Sequence, residues 1–90
     1  MVTALPVWRT LDARNLQRWL ESLETQAAQN IGNGGRLSAR ELRDLLDLLQ
    51  RQGWRMPRGV ETNWVGGPHI NIIGPSGQNI HLPVPPGFTP

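Results

Sequence analysis

The chain has no cysteine, no lysine and no tyrosine, and only two histidines and one phenylalanine among its ninety residues. Without cysteine there is neither a disulfide framework nor a thiolate metal site, a composition that fits a reducing compartment. No apolar run approaches the ~20 residues of a membrane span, and the opening MVTALPVWRT lacks the basic-then-apolar order of a secretory signal, so the chain reads as soluble. All nine basic residues are arginine, and the net charge of +2 attracts polyanions only weakly. Any nucleic-acid site therefore has to be a local cluster. Two histidines are too few for a structural zinc site, and a catalytic one would need Glu61 to complete it; no metal or cofactor is expected. The GNGG run at 32–35 lacks the lysine of a phosphate loop, and no serine sits in a nucleophile elbow.

What is present organises into one small domain with a thin core, since a chain of this size buries roughly 60–65% of its unfolded surface. Leu16, Trp19, Leu20, Leu23 and Ala27 recur at helical spacing between Thr10 and Asn30, behind a cap at Asp12 or Thr10. Asn30 to Gly35 ends that helix. Ser38 and Glu41 form a capping box for a second helix, with Leu37 and Leu42 at the staple positions. Leu42, Leu45, Leu46 and Leu49 make its apolar stripe, and Gly53 stops it. The spacing predicts a helical hairpin over 10–53, a three-stranded antiparallel meander over 60–84 whose first strand is Val60 to Val65, and a proline-rich surface tail over 85–90. The fold class is α+β, with the helical hairpin packed on the sheet.

The stretch PHINIIGPSGQNIHLPV fixes a register. Its GPSG reads as a three-residue hairpin loop with a bulge at the last glycine, which sets Gly74 opposite Gln78. Ile72 then faces Ile80, Asn71 faces His81, and Ile70 faces Leu82. Alternation agrees, because only this pairing puts the four apolar side chains on one face. The other face carries His69, Asn71, Asn79 and His81, with the two histidines diagonal at a Cβ separation of ~6–8 Å.

Imidazole changes charge in the neutral range, so two of them on one face suit general acid and base work. Metal-independent RNA cleavage needs such a pair: one group takes the 2′-hydroxyl proton, and another protonates the departing 5′-oxygen. Asn71 and Asn79 would orient the rings or donate to the phosphate. Arg55 and Arg58 around Trp54 offer phosphate contacts and a stacking surface. Each feature also has a plainer reading. Polar residues on an exposed hairpin face are what alternation produces anyway, and Trp54 reads as a core anchor at a helix end before it reads as a stacking platform. Arg40, Arg43 and Arg51 alternate with Asp44 and Asp47 as a solvated helix face.

The segment from Arg58 to Pro90, centred on WVGGPHINIIGPSGQNIHLPV, resembles the C-terminal toxin modules of bacterial polymorphic toxins, which are contact-dependent or secretion-delivered. The resemblance implies a compact ribonuclease in which helices lead into a short antiparallel sheet. It implies His69 and His81 as the catalytic pair, with Asn71 and Asn79 beside them, and action in a target-cell cytoplasm. It also implies a cognate immunity protein that covers the polar face or the arginine patch. The chain departs from many such nucleases in lacking lysine and tyrosine. The competing expectation is a non-enzymatic interaction module: an immunity protein, an adaptor, or a small subunit that dimerises through helix two, where Leu48 lies off the main stripe.

Overall fold

The computed structural model describes residues 7–29 and 37–90. A short 3-10 turn, Val7–Thr10, precedes α1, Ala13–Ala28, and α2, Ala39–Arg51; two strands follow, β1, His69–Ile73, and β2, Asn79–Pro83. The glycine loop expected between the helices lies outside the described residues.

The helices begin where their capping residues stand. Asp12 accepts the Asn15 main-chain N–H at 2.8 Å at the start of α1. Ser38 and Glu41 complete the capping box of α2, with bonds of 3.1 and 3.3 Å. Gly53 ends α2 with a positive φ of 93°, which lets the Gly53 N–H donate to the Gln50 carbonyl and the Trp54 N–H to the Leu49 carbonyl. That pair of bonds is the Schellman closure, and it turns the chain so that Trp54 enters the core.

Leu16, Leu20 and Leu23 of α1 and Leu42, Leu45, Leu46 and Leu49 of α2 are buried in one core with Ile70, Ile72, Ile80 and Leu82 of the sheet. Removing a side chain of that size from water contributes about 1.5–3 kcal/mol. The hairpin register is the expected one: Ile70 pairs with Leu82, Asn71 with His81, and Ile72 with Ile80. The Gly74 N–H donates to the Gln78 carbonyl at 2.7 Å, and Gly77 has a φ of 85° at the bulge. Close packing of α1 on β2 is reinforced at two polar points about two turns apart on one face of α1. Gln17 accepts from the Gln78 side chain at 2.8 Å, and Glu24 reaches His81.

Two expectations are corrected. The first concerns the sheet, which has two strands among the described residues where three were expected. The segment before β1 touches it only through isolated bridges, Arg55 with Ile73 and Glu61 with His69. Six steps of chain separate Arg55 from Glu61 where β1 takes four, and Pro57 within that interval has no N–H to donate. The ladder therefore bows out, and Val60 and Val65 stand exposed. The second concerns the tail, which does not simply run along the surface. Phe88 is buried, and Arg43 holds the end by donating to the Thr89 carbonyl at 3.3 Å with its guanidinium over the Phe88 ring.

No helix among the described residues is long and apolar enough to cross a membrane.

Candidate active site

Alternation along β1 and β2 turns His69, Asn71, Asn79 and His81 to the face away from the core. The two imidazoles meet there, with ring centroids 5.1 Å apart and planes tilted by 43°. Trp64 closes the group into a triangle: its indole lies edge-on to His69 and stacked on His81, each at 5.1 Å. A turn at residues 64–67 seats the indole, with the Gly67 N–H donating to the Trp64 carbonyl at 2.9 Å. The indole also lies across Gly66, where a Cβ would come within 2.5 Å of the ring.

The histidines are not equivalent. His69 is 2% exposed, whereas the His81 side chain is 33% exposed. Nδ1 of His69 faces the Gly67 carbonyl at 3.2 Å, and its Nε2 lies 3.6 Å from Oε2 of Glu61, a contact that becomes an ion pair only when the ring is protonated. Nδ1 of His81 lies 2.8 Å from Oε2 of Glu24, and the His81 main-chain N–H donates to the same oxygen at 2.7 Å. A carboxylate only accepts, so it places the His81 proton on Nδ1 and leaves Nε2 as the basic nitrogen. The expected pairing of two open imidazoles as acid and base does not fit rings 5.1 Å apart with one of them covered. His81 alone reaches solvent.

The remaining candidates divide between site and core. Asn71 donates from Nδ2 to Glu61 at 3.3 Å, while Asn79 is exposed at the strand end. Arg55 and Arg58 line a cavity of about 280 Å³ together with Glu61, Asn71, Met56 and Ile73. Trp54 is 7% exposed within the core, under Gly74, and offers no stacking face. The aromatic residue at the site is Trp64. Three residues that shape the face, Glu24, Glu61 and Trp64, were not assigned these roles from the sequence. Glu24 is 57 positions from His81, and nothing local pairs them. Trp64 reads as one more residue of the strand expected over Val60 to Val65. Among the described residues, no group of three or more His, Cys, Asp or Glu is arranged to hold a metal ion.

Compared with family models, curated proteins and solved structures, the chain matches none of them.

Proposed function

We propose that the chain is a metal-independent ribonuclease, a toxin module acting on RNA in a target cell and neutralised by an immunity protein. The observation that carries the reading is the Glu24–His81 pair, a solvent-facing imidazole held by a carboxylate in one tautomer with Nε2 free to accept a proton. Nε2 of His81 takes the 2′-hydroxyl proton, the 2′-oxygen bonds to phosphorus, and the bond to the 5′-oxygen breaks. The departing oxygen takes a proton from water, and the imidazolium returns its own to the hydroxide so formed. The products are a 2′,3′-cyclic phosphate and a 5′-hydroxyl. Arg55 and Arg58, which have no carboxylate partner among the described residues, offset the charge on the phosphate. His69 is a positioning residue, packed against His81 beneath Trp64. Exposed Val60 and Val65, on the segment that carries Trp64, give apolar surface suited to a protein cover.

The burial of His69 and that same apolar surface favour a second reading, a non-enzymatic interaction module. Expression of the wild type beside His81→Ala and His69→Ala, with total RNA examined from each culture, separates the two. The ribonuclease reading expects degraded RNA with the wild type and intact RNA with His81→Ala. Intact RNA and normal growth in all three cultures select the interaction module.

A further inference from the structure

The outer edge of β1 is open at one residue. In the β1–β2 ladder the even-numbered residues bond across the hairpin, as the flanking bonds of Gly74 to Gln78 and Val84 to Pro68 show. His69, Asn71 and Ile73 therefore direct their main-chain groups outward. His69 exchanges two bonds with Glu61, and the Ile73 carbonyl accepts from Arg55. Asn71, between them, has no main-chain partner among the described residues, because the chain from 55 to 61 bows away at that point. Its side-chain Oδ1 is also buried without a partner.

The bow encloses the cavity of about 280 Å³. Its polar equipment is one N–H and one C=O from Asn71, the Glu61 carboxylate, and the guanidinium groups of Arg55 and Arg58, over apolar Met56 and Ile73. A peptide strand cannot add here, since strand addition uses alternate residues along an open edge and the two bridges close this edge on both sides. The opening fits a compact planar group with neighbouring donors and acceptors, joined to an anion. A nucleotide has that chemistry. Among the bases, guanine presents one acceptor, O6, beside two N–H donors, which complements a single N–H set against a carboxylate and a carbonyl. Uracil has one donor between two acceptors, and adenine and cytosine each pair one amino group with ring acceptors.

We infer that this cavity is a nucleotide subsite selective for guanine, with the base edge on Asn71 and Glu61 and the phosphate on Arg55 and Arg58. The inference deepens the ribonuclease reading and rests on it for the placement of the cleaved bond beside His81.

The test is a ¹H–¹⁵N NMR titration of the full chain carrying His81→Ala with the four nucleoside 3′-monophosphates and with inorganic phosphate. Guanosine 3′-monophosphate should shift the Asn71 amide and bind about tenfold more tightly than the other three, the discrimination one bidentate base contact supplies. Glu61→Gln should abolish the preference, and Arg58→Gln should weaken binding of all four. An unmoved Asn71 amide at millimolar nucleotide, equal affinity for the four bases, or inorganic phosphate reproducing the same shifts each overturns the inference. RNA cleavage by the wild type without nucleotide binding removes this subsite alone. Guanosine monophosphate binding without RNA cleavage removes the ribonuclease reading and leaves the subsite.

Discussion

A single oxygen of Glu24 accepts two hydrogen bonds from His81, one from the ring and one from the main chain. The imidazole cannot rotate without breaking the first, and β2 cannot shift without breaking the second. One residue of α1 thereby orients the ring and closes part of the sheet edge. Glu24→Gln should keep the fold, cost about 1–3 kcal/mol in urea unfolding as a charge-assisted bond is lost, and, under the proposed ribonuclease activity, lower RNA cleavage about 10–100-fold. The ¹⁵N shifts of the His81 ring should show the fixed tautomer giving way to a mixture. Full activity with an unchanged tautomer would mean that the carboxylate is only a structural brace.

Trp64 packs against both rings at 5.1 Å, and of the two histidines His69 is the buried one. Diethyl pyrocarbonate should modify His81 and spare His69 in the wild type, and modify both in Trp64→Ala. Gly66→Ala should act in the same direction, because its Cβ would intrude on the indole at 2.5 Å. Equal reactivity of the two rings in the wild type contradicts the covered position of His69.

Gly77 has open space around its Cβ position but a φ of 85°, so substitution there tests the bulge through the backbone alone. Gly77→Ala should cost about 1–2 kcal/mol in urea unfolding, and Gly77→Asn less, since asparagine tolerates left-handed backbone. No loss with alanine would argue against the bulged turn and the register built on it.

Phe88 should behave as a core residue despite its place near the chain end. Phe88→Ala should cost about 3–5 kcal/mol, whereas a side chain lying on the surface would give a change within ~0.5 kcal/mol.

What the sequence made legible was local. Capping residues, helical stripes and the alternation around GPSG each involve neighbours in the chain, and they located α1, α2 and the register that puts His69 and His81 on one face. The third strand failed because the β-propensity of Val60 to Val65 says nothing about the spacing that Arg55 and Glu61 must keep along β1. The burial of Phe88 had no signal in the sequence, because proline excludes a ladder without excluding burial. The site itself depended on long-range contacts. Glu24 with His81, and Trp64 over both rings, follow from the packing of α1 on β2 and from the turn at 64–67, and neither has a signature in spacing.

In the proposed reaction His81 takes the proton from a ribose 2′-hydroxyl. The direct measurement is cleavage of a defined RNA oligonucleotide, and of its fully 2′-deoxy counterpart, by purified wild type and His81→Ala in the presence of a chelator. The wild type should cut RNA to 2′,3′-cyclic phosphate ends and leave the deoxy strand whole, while His81→Ala should cut neither. Uncut RNA with the wild type, cleavage of the deoxy strand, or undiminished cleavage by His81→Ala would contradict the proposed reaction.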